Sequence, residues 1–194
     1  MQKTNKVGST QKLVLCAVLT ALVVLLQFLG ASIHFGPFSI TLVLVPIVIG
    51  AAMCGTMAGV WLGLVFGAVV LMTDAGAFLA VSVPGTVITV LAKGALCGLC
   101  AGLIYRGLSK YNRYLAVVAA ALVCPVVNTG VFLLGCSVFF MDALSGWAAA
   151  AGLYDSVFKY MIFGMVGVNF LLETGINMAL SPVIVRLLRI GQKS

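Results

Sequence analysis

Charged side chains are scarce in this sequence. Aspartate, glutamate, lysine and arginine together make up 8% of the 194 residues, whereas soluble domains carry about 25%. Hydrophobic residues make up 63%, and a chain of this length exposes too much surface to hide them all in a soluble core. The composition therefore excludes an ordinary soluble domain and predicts that lipid surrounds most of the chain.

Sequence patterns typical of enzymes are also missing. The sequence has one histidine, His34, and no Walker loop, and its apolar runs contain no HExxH pattern and no serine with a nearby histidine. Cys97 and Cys100 form a CxxC pair, but no second pair accompanies it, and we interpret both as small packing residues of one helix. We therefore expect no catalytic residues, no metal, no cofactor and no ATPase activity of the chain's own.

Apolar runs long enough to cross a membrane recur along the chain. A spanning helix needs about 20 mostly apolar residues. The first run follows three lysines, as in a signal peptide, but no small-residue cleavage site follows it, so we interpret it as a spanning helix. We predict an all-α membrane protein with one domain over 1–194, a compact bundle of six transmembrane helices at about 13–29, 39–53, 56–72, 84–105, 114–140 and 158–188.

Two prolines bear on these helices. The second helix is the weakest prediction because it is short and contains Pro46. We expect Pro182 to interrupt the sixth helix, since proline removes a backbone hydrogen bond.

Basic residues are unevenly placed, and this gives the bundle a direction. With six crossings, one side of the membrane holds nine of them: Lys3, Lys6, Lys12, Arg106, Lys110, Arg113, Arg186, Arg189 and Lys193. The other side holds Lys159 with Asp74, Asp142 and Asp155. Cytoplasmic loops are enriched in lysine and arginine. The distribution predicts cytoplasmic N- and C-termini, and it argues against a nucleic-acid surface despite the net charge of +7.

Glycines repeat every four residues on the third and fourth predicted helices. Four-residue spacing keeps small residues on one helix face, where two backbones can approach closely. We interpret both series as packing surfaces of the bundle. They are Gly55, Gly59, Gly63 and Gly67 on the third helix and Gly94, Gly98 and Gly102 on the fourth.

A few polar residues lie deep inside the apolar runs. A charged side chain at the centre of a spanning helix costs roughly 2.5–3.5 kcal/mol on insertion scales. Lys93 lies about nine residues, or roughly 14 Å, from the nearer end of its helix. The other deep polar residues are Asn128 on the fifth predicted helix and Asn169 and Glu173 on the sixth.

These polar residues also form stripes. Thr86, Thr89 and Lys93 fall on one face of the fourth predicted helix, and Asn169, Glu173 and Asn177 fall on one face of the sixth. The stripes and Asn128 predict a partly polar cavity between the last three helices that binds a small molecule. A purely structural network, with Lys93 paired to Glu173, is the alternative.

At this point the chain resembles the substrate-binding S components of energy-coupling factor (ECF) transporters, which import vitamins and micronutrients into prokaryotes. The length, the six predicted helices and Ala17-x-x-x-Ala21 in the first helix carry the resemblance. Three segments are also similar: FSITLVLVPIVIGA at 38–51, GVWLGLVFG at 59–67 and CPVVNTG at 124–130.

The resemblance implies a mechanism and partners. It implies capture of a vitamin-like substrate from outside by the last three helices, with the loop around His34, Phe35, Gly36 and Pro37 as a gate. It implies that the face carrying Ala17 and Ala21 docks onto a membrane coupling protein (the T component), which two cytoplasmic ATPases drive. Lys93, Asn128, Asn169 and Glu173 are then candidate ligand contacts, in the plasma membrane of a prokaryote.

Two other functional classes stay open at this point. A stand-alone secondary transporter or channel is the main alternative, although we find no clear repeat between the two halves. An intramembrane enzyme or assembly factor is disfavoured by the missing catalytic residues. The substrate is also open: Lys93 suits a carboxylate or phosphate, and Glu173 suits an amine or a hydroxyl.

Overall fold

The computed structural model describes residues 9–32, 34–35, 38–39, 42–152 and 156–190. Within these ranges the chain is helical, as the sequence predicts, apart from one small antiparallel hairpin that we did not predict. The elements are α1 (Ser9–Ala31), β1 (His34–Phe35), β2 (Phe38–Ser39), α2 (Leu44–Met53), α3 (Thr56–Thr73), α4 (Gly76–Val81), α5 (Val83–Leu108), α6 (Arg113–Phe139), α7 (Met141–Ala151), α8 (Val157–Lys159), a π-helical segment (Tyr160–Val166) and α9 (Gly167–Ile190).

Five helical stretches in the described part of the chain are long and apolar enough to cross a membrane: α1, α3, α5, α6 and the run Val157–Arg186. Their outward surfaces carry large apolar side chains, such as Leu13, Met72 and Phe163, with 72%, 81% and 68% of their surface exposed. Such a coat suits lipid and would be unfavourable in water. The chain is a multi-pass membrane protein.

The second predicted helix is shorter than expected. Its predicted start at residue 39 is wrong, because Phe38–Ser39 form β2 and α2 begins at Leu44. Pro46 lies in the first turn of α2, where its missing N–H has no helical partner to lose. The ten residues of α2 extend over roughly 15 Å, about half of a hydrocarbon core.

The sixth predicted helix also differs in detail. Pro182 does not interrupt it, because α9 continues through this residue to Ile190. The irregular part lies earlier, at the π-helical segment Tyr160–Val166. A π-helical turn accommodates an extra residue inside a helix and often marks a functional position. Two segments that we predict as loops also contain helices, α4 and α7.

Side-chain caps set the ends of the helices around the cavity described below. Ser82 accepts a hydrogen bond from the Gly85 N–H at 3.3 Å, and Pro84 lies in the first turn of α5. Asn112 begins α6 by accepting from the N–H groups of Tyr114 and Leu115. These caps satisfy N–H groups that have no partner within their helix.

The two glycine series meet at the α3–α5 interface, which confirms their interpretation as packing surfaces except at Gly55. Gly55 precedes α3 with a φ of 110° and has nothing within 4 Å of an added Cβ, so its place in the series is wrong. A Cβ added at Gly63 would lie 1.9 Å from the carbonyl oxygen of Gly94, and one at Gly98 would lie 2.0 Å from that of Gly59. Both distances are far below van der Waals contact. The two backbones therefore approach to a distance that only glycine permits.

Candidate functional site

A cavity lies where α5, α6 and α9 meet, as the sequence predicts, but it extends further. The volume open to the centre of a water-sized sphere is about 80 Å³, several times the roughly 10–15 Å³ that one water needs by this measure. Residues of α1, α3, α4 and the π-helical segment also line it. The lining residues are Gln27, Val70, Asp74, Ala75, Phe78, Thr86, Thr89, Val90, Lys93, Asn128, Thr129, Phe132, Phe140, Met165, Val166 and Asn169.

Lys93 provides the positive charge of this cavity. Its Nζ lies 5.1 Å from the ring centre of Phe132 and 5.4 Å from that of Phe66. Aromatic faces attract a cation at these distances. Two carboxylates also act on Lys93 electrostatically, Glu173 more strongly than Asp74. The ammonium group is thus held in place by rings and charges from other helices.

Glu173 connects the helices on one side of the cavity. Its side chain is buried, with 1% of its surface exposed. One carboxylate oxygen accepts from Asn169 Nδ2 at 2.8 Å, and the other accepts from Asn128 Nδ2 at 3.5 Å. Glu173 itself is not part of the cavity lining. It therefore orients two lining amides from behind.

A second polar pair, Gln27 and Asp74, lies in the cavity wall and is not among the predicted site residues. Gln27 of α1 donates from Nε2 to Asp74 Oδ2 at 2.6 Å, and the Thr73 hydroxyl donates to the same oxygen at 3.1 Å. Only 2% of the Gln27 surface is exposed. The sequence offers one signal that could have indicated Gln27 as a site residue, because it is the only amide in the first apolar run.

Aromatic rings form the apolar wall of the cavity. The ring of Phe78 meets three others edge to face, with ring centres 5.6 Å away for Phe132, 5.1 Å for Phe140 and 5.4 Å for Trp147. Edge-to-face pairs are a favourable arrangement of aromatic rings. Phe78 lies in α4, so this short helix supplies a side chain that links the wall to α6 and α7.

The structure brings together most of the residues that the stripes single out. Thr86, Thr89, Lys93, Asn128 and Asn169 all line the cavity.

Other candidate residues lie elsewhere. Asn177 is outside the lining, where its amide donates to the backbone oxygen of Glu173 at 3.0 Å. His34 and Phe35 form β1, whereas Gly36 and Pro37 lie outside the described residues. Ala17 and Ala21 lie on the exposed face of α1.

Thiols and metal ligands do not converge at this cavity. All six cysteines are described and carry free thiols, and Cys97 of the CxxC pair is fully buried and donates to the Gly94 carbonyl. Within the described ranges, no group of three or more His, Cys, Asp or Glu side chains is arranged to hold a metal ion. The cavity instead offers one ammonium group, amides, hydroxyls and a carboxylate, which suits the binding of a small polar molecule.

Comparison with known proteins gives one result. The family of the ECF transporter, substrate-specific component, matches residues 11–185. A search of curated proteins gave no match, and a search of solved structures gave none either. The family match covers most of the chain, and together with the membrane-spanning helices it shows that this chain belongs to the family of substrate-specific components of energy-coupling factor transporters.

Proposed function

We propose that this chain is the high-affinity substrate-capture subunit of an ECF importer in the plasma membrane of a prokaryote. It binds a vitamin or similar micronutrient from outside and delivers it through an energy-coupling module that other substrate-capture subunits share. The observation that carries the proposal is the cavity, in which Lys93 and the amides of Gln27, Asn128 and Asn169 face one small volume. Polar groups at this depth are unfavourable unless a bound molecule or a network uses them.

The direction of transport rests on how often the chain crosses the membrane. We propose that the hairpin and α2 together make a sixth crossing, which places both termini in the cytoplasm. The uneven distribution of basic residues supports this arrangement. Reporter fusions at each terminus test it, and we expect both reporters to be cytoplasmic. Reporters on opposite sides would mean five crossings.

The connection between α1 and α2 is the proposed gate. It contains β1 and β2, in which His34 pairs with Ser39 and Phe35 pairs with Phe38. Gly36 and Pro37, which the proposed gate also includes, lie outside the described residues. The same segment follows α1, whose Gln27 lines the cavity. A movement of this connection would therefore be linked to the cavity through α1.

The outer face of α1 is the proposed docking surface for the membrane coupling protein. Ala17 and Ala21 are exposed there, beside Val18 and Leu25 with 59% and 56% of their surface exposed. Small residues four positions apart let a second helix approach closely. The opposite face of α1 packs inside the bundle through Leu19 and Val23. One helix thus has an inner face for the bundle and an outer face for a partner.

Co-purification tests this function. The chain is co-expressed with a coupling protein and two ATPases, and we expect the four proteins to purify together. Ala17→Leu or Ala21→Leu should lower retention about tenfold or more, because the larger side chain overpacks the interface. A loss of about 1.4 kcal/mol in binding free energy corresponds to a factor of ten. Ala179→Leu is the matched control, because Ala179 is an exposed alanine of α9.

Two results would contradict the proposed function. The first is full substrate uptake in cells without the coupling proteins, which would indicate a stand-alone transporter. The second is equal retention of the Ala17→Leu, Ala21→Leu and Ala179→Leu variants.

A further inference from the structure

The polar groups of the cavity lining include one cation and several hydrogen-bond acceptors. Lys93 supplies the cation. The acceptors include Gln27, Asp74 and Asn128, which come from α1, the end of α3 and α6. This combination restricts which ligands the cavity accepts and deepens the proposed function, on which the inference rests.

Two carboxylates fix the orientation of the amides of Gln27 and Asn128. Ionised carboxylates only accept hydrogen bonds. Gln27 must therefore turn its NH₂ group to Asp74, and Asn128 must turn its NH₂ group to Glu173. The amide oxygens, Gln27 Oε1 and Asn128 Oδ1, consequently point away from these carboxylates.

These oxygens are buried, and neither has a hydrogen-bond partner among the described residues. The hydroxyl oxygen of Thr89 is in the same condition. The side chains of Gln27, Asn128 and Thr89 expose only 2%, 4% and 4% of their surface. A buried acceptor without a donor is unfavourable. A ligand that donates hydrogen bonds would satisfy all three atoms, whereas a ligand that only accepts would satisfy the Thr89 hydroxyl alone.

Asp74 offers an additional acceptor. The hydrogen bonds from Gln27 and Thr73 both end on Oδ2. Asp74 is partly exposed and lines the cavity, so its carboxylate can accept a further donor or pair with a cation.

The charges around the cavity favour a ligand that carries both signs. Two charged side chains line the cavity, Lys93 with a positive charge and Asp74 with a negative one. A monoanion can pair only with Lys93 and a monocation only with Asp74, so each would leave the other residue without a charged partner from the ligand in a region of low dielectric constant, where unpaired charge is costly. A ligand with one group of each sign pairs with both residues.

We propose that the cavity binds a small zwitterion. Its anionic group pairs with Lys93, and its ammonium group donates to the oxygens of Gln27, Asn128 and Asp74. The apolar part of the ligand contacts the wall formed by Phe78, Phe132 and Phe140.

Two sets of matched probes test the proposal on the full chain in lipid nanodiscs. One set is L-phenylalanine, 3-phenylpropanoate and 2-phenylethylamine; the other is 4-(aminomethyl)benzoate, 4-methylbenzoate and benzylamine. Each set contains a zwitterion, an anion and a cation on one skeleton, and the sets differ in charge separation. In at least one set we expect the zwitterion to bind about tenfold tighter than either partner by calorimetric titration, because each missing group leaves a charge unpaired.

Two variants assign the ends of the ligand. Lys93→Met should abolish the advantage of the zwitterion over the amine and keep its advantage over the carboxylate. Asp74→Asn should do the reverse. Each variant is first checked for a monodisperse folded preparation, and each one tests its own residue independently of the other.

Two outcomes overturn the proposal: neither zwitterion binds, or in both sets the anion or the amine binds as tightly as its zwitterion. These outcomes are separate from the test of the proposed function. If the coupling proteins co-purify but the zwitterions do not bind, the ligand class is wrong and the function stands. If the zwitterions bind but no coupling protein is retained, the function is wrong.

Discussion

Helix α5 has two faces that differ in what lies against them. Toward α3, Gly94 and Gly98 leave no side chain, and the two backbones are in contact. Toward α6 and α9, Thr86, Thr89 and Lys93 present side chains that line a cavity. The same helix therefore serves as a rigid support on one face and as a binding surface on the other. Changes at the first face should affect folding, and changes at the second should affect the hydrogen bonds and charge pairs around the cavity.

The largest effect is expected at the glycine face. Gly63→Ala places a Cβ 1.9 Å from the Gly94 oxygen and 2.6 Å from its carbonyl carbon. Backbone atoms cannot turn aside as a side chain does, so we expect a loss of about 3 kcal/mol of stability or more. Thermal unfolding in detergent, with the monodisperse fraction on a sizing column, measures it.

Gly107→Ala is the matched control for this substitution. Gly107 lies in α5 and has open space where a Cβ would be. Alanine favours a helix over glycine by about 1 kcal/mol, so this variant should be as stable as the native chain or more stable. Equal stability of Gly63→Ala and Gly107→Ala would mean that the two backbones are not in contact.

An intermediate effect is expected behind the polar face, at Glu173. Glu173→Leu removes the acceptor from the buried amides of Asn128 and Asn169 and a negative charge near Lys93. Each lost hydrogen bond of a buried group costs about 1–3 kcal/mol. Glu173→Gln should cost less, because its oxygen accepts one amide and its NH₂ group can donate to Asn128 Oδ1. Equal melting temperatures of the two variants would indicate that the volume of Glu173 matters and its hydrogen bonds do not.

A smaller effect is expected where a glycine of α6 packs against a side chain of the cavity wall. A Cβ at Gly135 of α6 would lie 2.3 Å from the side-chain atoms of Thr89. A side chain can rotate away, so Gly135→Ala should cost about 1 kcal/mol of stability while it moves Thr89 in the cavity wall. Gly130→Ala is the control on α6, since nothing lies within 4 Å of that position. A loss for Gly135→Ala as large as that for Gly63→Ala would contradict the distinction between the two faces.

The sequence predicts the two faces of α5 because each rests on periodicity. Glycines four residues apart and the spacing of Thr86, Thr89 and Lys93 place residues on a face without knowledge of the neighbouring helices.

Contributions from distant segments could not be predicted in this way. Gln27 and Asp74 are 47 residues apart, and only the packing of α1 against α3 brings them together. The start of α2 could not be predicted either, because an apolar run does not show where a strand ends and a helix begins.

The smallest effect on stability is expected at Ala17 of α1, a small residue on an exposed helix face. Ala17 and Ala21 have the same four-residue spacing as Gly63 and Gly67, but they are exposed and Gly63 is buried. Ala17→Leu should therefore change the stability of the isolated chain by no more than about 0.5 kcal/mol, as measured by thermal unfolding without the coupling proteins. A large loss would mean that this face of α1 packs within the chain, and the proposed docking surface would be wrong. Unchanged stability together with weaker retention of the coupling proteins would show that the same spacing serves folding in α3 and association in α1.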